Sequence, residues 1–125
     1  MRQSQPSIFI VDEDPAVRHA LTFSLNLEGY HARAFAGAFD LLAVTTFPSE
    51  GCFVIDQTLT EMNGLEVLAR LRARNVLLPA VLITTEPSGE LRVHAARAGV
   101  PLIEKPLLTE ALSQCIRASL GKAKQ

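Results

Sequence analysis

The sequence predicts an open, doubly wound α/β fold in which five parallel strands alternate with five helices. Short apolar runs recur along the chain, and they are continuous rather than alternating, which is typical of strands buried on both faces of a sheet. Segments with the apolar spacing of helices separate these runs, as in a parallel sheet with helical crossovers. The predicted strands are residues 8–11, 30–35, 52–55, 80–83 and 102–103, of which 30–35 has the weakest pattern.

The first helix has sequence signals at both of its ends. Asp14 can cap the N-terminus, Pro15 suits the first helical position, and Gly29 ends the helix. The apolar stripe between these signals consists of Val17, Leu21 and Leu25. This pattern predicts an amphipathic helix that packs one face on the sheet.

The second and third helices are predicted at residues 38–44 and 65–74. The second follows Gly37, and the chain after it contains proline and glycine, which indicates a loop. The third helix places three leucines on one face, namely Leu65, Leu68 and Leu71.

The fourth and fifth helices are predicted after the fourth and fifth strands. The fourth, residues 89–98, lies between a Ser88 cap and a Gly99 stop signal, and it is rich in alanine and weakly amphipathic. The fifth begins at a Thr109 cap and is expected to end at Gly121. Its apolar face consists of Leu112, Cys115, Ile116 and Leu120.

The composition indicates a single domain over residues 1–125, with 1–6 and 121–125 expected as disordered tails. Hydrophobic residues make up 48 % of the chain, which is enough for a core. Lys and Arg total 12 and Asp and Glu total 13, so the chain lacks the basic surface that binds nucleic acids. No apolar run approaches the ~18 residues of a membrane span, and no signal peptide is recognisable. We therefore expect a cytoplasmic domain that contacts neither membrane nor DNA directly.

The cysteines and histidines show no pattern of a metal or disulfide site. Cys52 and Cys115 lie far apart in sequence and are expected to be reduced thiols in the core. The histidines lack the spacing of metal ligands and are expected to be solvated or partly buried: His19, His31 and His94.

Polar side chains follow the predicted strands at the points where the strands end. Parallel strands end at one edge of the sheet, which is where such folds place their chemistry. The residues in question are Asp12, Glu13 and Asp14 after the first strand, Asp56 after the third, Thr84 and Thr85 after the fourth, and Glu104 and Lys105 after the fifth. Carboxylates, hydroxyls and an ammonium group are therefore expected to converge.

Asp12, Glu13 and Asp56 are expected to bring up to three carboxylates together at this edge. Like charges ~4 Å apart repel by ~4 kcal/mol at an effective dielectric of ~20, so a cation has to offset them. Mg²⁺ suits this role because it prefers oxygen ligands and binds through carboxylates and phosphate oxygens. Lys105 can reach a transferred phosphoryl group, and the Thr84 hydroxyl can hydrogen-bond to it. Such a site suits in-line phosphoryl transfer to a carboxylate.

Four segments of the chain resemble the receiver domains of bacterial two-component response regulators. They are IFIVDEDPAVRHAL with the acidic pair, CFVIDQTLTEMNGLEVL with the acceptor strand, VLITT with a hydroxyl, and LIEKP with a lysine. The four segments occur in the family's order, and the resemblance extends over nearly the whole chain. Among receivers, the chain is most similar to those of FixJ-type transcription regulators. The resemblance implies a flavodoxin-like (CheY-like) sheet with the strand order 2-1-3-4-5.

The resemblance also implies an acceptor and a metal site. Asp56 would be phosphorylated, and Asp12 and Glu13 would be the acidic pair that helps to hold Mg²⁺. Asp56 and the main-chain carbonyl of Thr58 would complete the metal ligands from the protein. The domain would assist its own phosphorylation and hydrolysis without being an enzyme that acts on a separate substrate.

Switching and partners are implied in the same way. Thr84 would be the switch hydroxyl and Lys105 the phosphate-binding lysine, with a bond to Pro106 that is commonly cis in the family. A histidine kinase or phosphotransfer protein would donate the phosphoryl group. The face formed by the fourth helix, fifth strand and fifth helix would bind an output domain or partner, with homodimerisation on activation.

The chain departs from the family pattern in the loop that follows Asp56, called the acceptor loop below, and next to the switch residue Thr84. Leu59 and Thr60 occupy positions where most relatives have Met-Pro, so the loop lacks a rigid φ. Thr85 stands where a smaller residue is usual, which is expected to narrow access for the phosphoryl group.

Further departures lie in the fifth strand. Leu102 replaces the usual aromatic residue, and the segment from Gly99 to Lys105 is one residue shorter than is usual. Pro101 precedes the strand, which is tolerable at a sheet edge. These departures predict weak coupling between the site and the output face.

Two alternative functions follow from the same residues. A degenerate receiver would act as an interaction module without phosphorylation, given the substitutions at Thr60, Thr85 and Leu102. A phosphatase of the haloacid dehalogenase type would use Asp12 as nucleophile and Asp14 as acid/base. That reading lacks the late acidic pair that such enzymes need, and it leaves Asp56 without a role.

Overall fold

The computed structural model describes residues 5–105 and 109–123, which form a five-stranded parallel sheet with helices on both faces. The strands are β1 (Ser7–Val11), β2 (His31–Phe35), β3 (Gly51–Asp56), β4 (Ala80–Thr84) and β5 (Leu102–Glu104). The helices are α1 (Pro15–Leu27), α2 (Ala38–Leu42), α3 (Gly64–Ala73), α4 (Gly89–Arg97) and α5 (Thr109–Ala123). The predicted number, type and alternation of the elements are confirmed.

The strand order is β2-β1-β3-β4-β5, as the resemblance implied. All neighbouring strands are parallel, and the register places Val11 beside Ile55 and Asp56 beside Ile83. The carboxyl ends of β1, β3 and β4 therefore lie at one edge of the sheet.

Two apolar layers sandwich the sheet, because successive strand residues point to opposite faces. One layer lies under α2 and α3 and includes Phe9, Val11, Phe53, Ile55, Leu71 and Leu82. The other lies under α1 and α5 and includes Ile8, Ile10, Leu25, Val54, Ile83 and Ile116. Burial on both faces explains why the strands have continuous apolar sequences.

The predicted signals of α1 are confirmed at both ends. The side chain of Asp14 accepts a hydrogen bond from the Ala16 amide at 2.9 Å, and Pro15 occupies the first turn. Gly29 follows the helix with φ +97°, a left-handed conformation that favours glycine.

Several predicted boundaries were wrong. Helix α2 ends at Leu42 rather than at residue 44, and α5 continues through Gly121 to Ala123. Residues 121–123 are therefore helical, although a disordered tail was expected there. At the other end, the Pro6 carbonyl accepts a hydrogen bond from the His31 amide at 3.0 Å. Residues 1–4, 124 and 125 of the expected tails, the side chain of the Thr109 cap and the bond to Pro106 lie outside the described residues.

Among the described strands, β5 lies at the edge of the sheet and pairs with β4. The Pro101 carbonyl accepts a hydrogen bond from the Leu82 amide at 2.9 Å, so pairing begins just before the strand. Proline is compatible with this position because an edge strand has one unpaired side. Leu102 is half-buried and packs on the α2 and α3 side of the sheet.

Among helices α1 to α4, α4 has the fewest buried residues. Ala95 is its single buried residue, Leu91 is half-buried, and Val93 is exposed. This agrees with the weak amphipathicity predicted from the sequence.

The cysteines differ in burial, whereas the histidines all lie at the surface. Cys52 is buried and Cys115 is half-buried, and neither forms a disulfide. Burial raises the pKa of Cys52 to about 12, so this thiol is protonated at neutral pH. The three histidines, His19, His31 and His94, are exposed. Among the described residues, no helix has the length and apolar character required to span a membrane.

Candidate functional site

Two buried carboxylates and one lysine meet at the carboxyl edge of the sheet. Asp12 follows β1 and is 1 % exposed, and Asp56 ends β3 and is 7 % exposed. The ammonium group of Lys105 donates to Asp12 Oδ2 at 2.8 Å and to Asp56 Oδ2 at 3.0 Å. Lys105 therefore bridges the two carboxylates, which come from neighbouring strands.

The other oxygen of each carboxylate accepts a backbone hydrogen bond. The Asp14 amide donates to Asp12 Oδ1 at 2.9 Å, and the Thr58 amide donates to Asp56 Oδ1 at 3.1 Å. In each case the donor lies two residues after the aspartate, so the turn that ends the strand also orients the carboxylate. The Arg18 guanidinium donates to the Asp12 carbonyl at 2.9 Å and so holds the same turn from α1.

Burial and the ion pairs have opposing effects on the charges at this edge. Burial raises the pKa of Asp56, and it outweighs the hydrogen bonds from Lys105 and Thr58 that favour the ionised carboxylate. Burial by itself lowers the pKa of Lys105, but the bonds to Asp12 and Asp56 outweigh it, so the pKa of Lys105 is raised. The bridge consequently keeps the lysine charged.

Backbone contacts place Lys105 and Asp56 within reach of each other. The Lys105 amide donates to the Thr84 carbonyl at 2.7 Å and extends the pairing of β4 and β5 by one residue. The short segment that begins at Gly99 therefore still delivers the lysine. A Cβ atom on Gly64 would lie 2.6 Å from the Asp56 carbonyl oxygen, so the start of α3 can approach the acceptor strand this closely only with glycine.

The carboxylate of Glu13, which the sequence also placed at this edge, bonds to Thr60 rather than to this cluster. Its Oε2 accepts from the Thr60 amide at 2.6 Å, and its Oε1 accepts from the Thr60 hydroxyl at 2.9 Å. The backbone bond and then the hydroxyl bond lower the pKa of Glu13. Across residues 5–105 and 109–123, no three His, Cys, Asp or Glu side chains are grouped so that they could hold a metal.

Thr84 lies at the same edge but does not contact the acidic pair. Its side chain is buried, and its hydroxyl oxygen accepts a hydrogen bond from the Glu86 amide at 3.3 Å. This bond leaves the hydroxyl proton for another acceptor. Thr85 and Glu104 are exposed.

The donor set at this edge fits a hard divalent cation. Asp12 and Asp56 supply carboxylate oxygens from adjacent strands, and both carboxylates already require a positive charge, which Lys105 provides. Mg²⁺ prefers such oxygens and keeps several of its waters. Glu13 can contribute only after its carboxylate leaves Thr60.

The contacts of Arg18, Thr60 and Glu61 were not anticipated from the sequence. Thr60 was recognised as a departure, but only for the proline that it replaces. Glu61 Oε1 accepts from the Ala38 amide at 3.3 Å and so connects the acceptor loop to the start of α2. Each of these contacts joins residues in separate loops or helices, and no local pattern marks the partner.

Comparisons with known proteins agree with this geometry. The sequence-family model of the response regulator receiver domain matches residues 8–117 of this chain. The chain is 32 % identical to the transcriptional regulatory protein FixJ of Azorhizobium caulinodans over 98 % of its own length and 58 % of FixJ. It is also 32 % identical to the response regulator protein TodT of Pseudomonas putida, over 94 % of its length and 52 % of TodT. The chain thus spans just over half of these two relatives.

Solved structures include similar folds. A CheY-like receiver domain protein from Methanospirillum hungatei has a TM-score of 0.86 at 28 % identity, covering 97 % of this chain and 98 % of that one. FixJ-N has a TM-score of 0.82 at 27 % identity, covering 95 % of this chain and 96 % of that one.

Proposed function

The chain belongs to the receiver domains of two-component response regulators, and we therefore propose that Asp56 is its phosphoacceptor. The observation that carries this proposal is the bridge from Lys105 to Asp12 and Asp56, at 2.8 Å and 3.0 Å. It supports a site in which a nucleophilic carboxylate lies beside a second carboxylate and a cationic side chain. Asp56 ends β3, the central strand, at the carboxyl edge of the sheet.

Receiver domains bind Mg²⁺ at their acidic pocket, and we propose the same for this chain. Asp12, Glu13 and Asp56 would hold the ion through carboxylate oxygens, together with the main-chain carbonyl of Thr58. The bound ion would neutralise charge on the transferred phosphoryl oxygens. The positions of Asp12 and Asp56 support this assignment, and that of Glu13 requires a change of side-chain conformation.

In the proposed reaction, a carboxylate oxygen of Asp56 attacks the phosphorus atom of a phosphohistidine. The O–P bond forms while the P–N bond breaks, and the histidine leaves with the electron pair of that bond. Lys105 can then donate to a phosphoryl oxygen in place of a carboxylate oxygen, and the Thr84 hydroxyl can donate to another. Because these donors are already positioned, the site stabilises charge with little reorganisation.

The proposed role is that of a phosphoacceptor and signalling domain. The degenerate-receiver alternative is disfavoured because the cluster of Asp12, Asp56 and Lys105 is complete. The phosphatase alternative is disfavoured because Lys105 bridges Asp12 and Asp56, which gives Asp56 the role that this alternative does not supply.

Receiver domains interact with histidine kinases and with output domains. For this chain we propose that a histidine kinase or phosphotransfer protein is the donor, and that α4, β5 and α5 form the output face. The shallow packing of α4 supports that assignment, because a helix with few buried contacts can shift at a low cost in free energy. Homodimerisation through this face on activation is part of the proposal, and direct contact with DNA is not.

Incubation with acetyl phosphate tests the proposal on the wild-type protein. We expect a Mg²⁺-dependent gain of one phosphoryl group in the intact mass. Because an acyl phosphate is reduced by borohydride to an alcohol, peptide mapping after reduction should find homoserine at position 56. A stable phosphoester on a serine or threonine, or homoserine at position 12, would contradict the assignment.

The output face should respond weakly to phosphorylation. Leu102 has no ring to rotate behind Thr84, and the backbone bond from Lys105 to the Thr84 carbonyl already fastens β5. A ligand shifts an equilibrium only by its differential affinity for the two states. Amide hydrogen exchange with beryllofluoride, a phosphoryl mimic, is therefore expected to change at residues 84–86 and little in α4. Strong changes throughout α4 would instead indicate an ordinary switch.

A further inference from the structure

We infer that Thr60 competes with the divalent cation for the Glu13 carboxylate, so that Thr60 sets the metal affinity of this receiver. The inference rests on the proposed function, because it concerns the same metal site. It assigns Thr60 as a positioning residue that holds a metal ligand outside the cluster of Asp12, Asp56 and Lys105.

The two contacts between Thr60 and Glu13 form a two-point clamp. The amide of Thr60 binds one carboxylate oxygen at 2.6 Å, and its hydroxyl binds the other at 2.9 Å. Hydrogen bonds to an ionised carboxylate are stronger than neutral ones. Both residues are exposed, so these bonds, rather than packing, determine where the carboxylate lies.

The charge balance shows what release of Glu13 would change. Asp12, Asp56 and Lys105 carry two negative charges and one positive charge, which leaves a net charge of −1. Addition of the Glu13 carboxylate brings the site to −2, which matches a divalent cation. While Thr60 holds the Glu13 carboxylate, the site therefore has one negative charge too few to balance Mg²⁺.

The acceptor loop is anchored independently of Glu13, so it does not follow the carboxylate into the site. Glu61, next to Thr60, accepts a hydrogen bond from the Ala38 amide at 3.3 Å. Its carboxylate also lies against Gly37, where an added Cβ would be 3.1 Å from Oε1. Glu13 must therefore break both bonds to Thr60 when it turns toward a metal ion.

Two substitutions separate the contributions of the clamp. Thr60→Val removes the hydroxyl and keeps the amide, whereas Thr60→Pro removes both donors. Loss of competing bonds to an ionised group predicts tighter Mg²⁺ binding, by about threefold for Thr60→Val and about tenfold for Thr60→Pro. Thr46→Val, a change at an exposed threonine outside the site, serves as the matched control and should leave the affinity unchanged.

The measurement is a Mg²⁺ titration of the whole chain followed by ¹H–¹⁵N NMR. The wild-type Thr60 amide should resonate downfield, as expected for a short bond to a carboxylate, and should move upfield as the metal binds. In a Glu13→Gln background, the Thr60 substitutions should lose their effect on affinity. If Thr60→Pro does not fold, Thr60→Val and the Thr60 amide shift still decide the question.

The outcomes distinguish this inference from the proposed function. Metal binding by the wild type, with unchanged or weaker binding in Thr60→Val and a static Thr60 amide, would overturn the inference and leave the metal site intact. Absence of Mg²⁺ binding in the wild type and in every variant would overturn both. Tighter binding that persists in the Glu13→Gln background would also overturn the inference, because the effect would not pass through Glu13.

Discussion

An Asp56→Asn variant is expected to accept no phosphoryl group from acetyl phosphate, with the rate falling at least ~100-fold to the detection limit. The amide is nearly isosteric, so it can keep the bond from the Thr58 amide that orients Asp56 at 3.1 Å. The amide is not an effective nucleophile toward phosphorus, because the lone pair of its nitrogen is delocalised into the carbonyl group and the amide carries no charge. The time course of intact mass in the presence of Mg²⁺ measures the loss.

Asp14→Asn provides the matched control for this experiment. Asp14 lies at the same edge of the sheet and caps α1, and asparagine also caps helices well. We expect near wild-type phosphorylation of this variant. Rapid labelling of Asp56→Asn, or loss of labelling in Asp14→Asn alone, would show that the nucleophile is elsewhere.

A Lys105→Met variant should lose about 3 kcal/mol of unfolding free energy near neutral pH in the absence of metal. The substitution leaves the buried carboxylates of Asp12 and Asp56 without the cation that bridges them at 2.8 Å and 3.0 Å. Methionine preserves most of the apolar stem, so the loss reports on charge rather than on packing. Urea denaturation of the variant and the wild type measures the difference.

The pH dependence of this loss has a definite sign. Burial already raises the pKa of Asp56, and removal of the ammonium group raises it further. A carboxyl whose folded pKa exceeds the unfolded value costs stability above that pKa and regains it as the pH falls through it. The deficit of Lys105→Met should therefore shrink on acidification, and added Mg²⁺ should also reduce it.

Arg92→Met is the control for removal of a positive charge, because Arg92 is exposed on α4. Its stability should change by less than about 0.5 kcal/mol, without a dependence on Mg²⁺. Equal losses in both variants, or a Lys105→Met deficit that stays constant with pH and Mg²⁺, would mean that Lys105 does not stabilise the buried carboxylates by its charge.

The strands could be predicted from the sequence because burial on both faces leaves continuous apolar runs. The end of α5 could not, because glycine is a weak stop signal inside a helix. It costs a helix only about 1 kcal/mol relative to alanine, and α5 continues through Gly121 to Ala123. Helix α2 ends at Leu42, two residues before the predicted end, and Ala43 is its C-cap.

The cluster of Asp12, Asp56 and Lys105 was predictable because parallel topology brings strand ends to one edge. The position of Glu13 was not, although it is the next residue after Asp12. Its carboxylate is exposed, and the Thr60 donors that hold it lie 47 residues away in sequence. Backbone topology determines where a strand ends, whereas an exposed side chain is placed by whichever donors are near.

The two outer strands also influence how this domain meets other molecules. An exposed strand with unpaired backbone groups invites strand addition from another chain and, in the extreme, aggregation. Here β5 is only three residues long and is preceded by Pro101, while β2 carries exposed His31 and Arg33, and both features oppose such pairing. We therefore expect copies of this domain to associate through helices rather than by extending the sheet. At high protein concentration, we expect no aggregation by strand pairing.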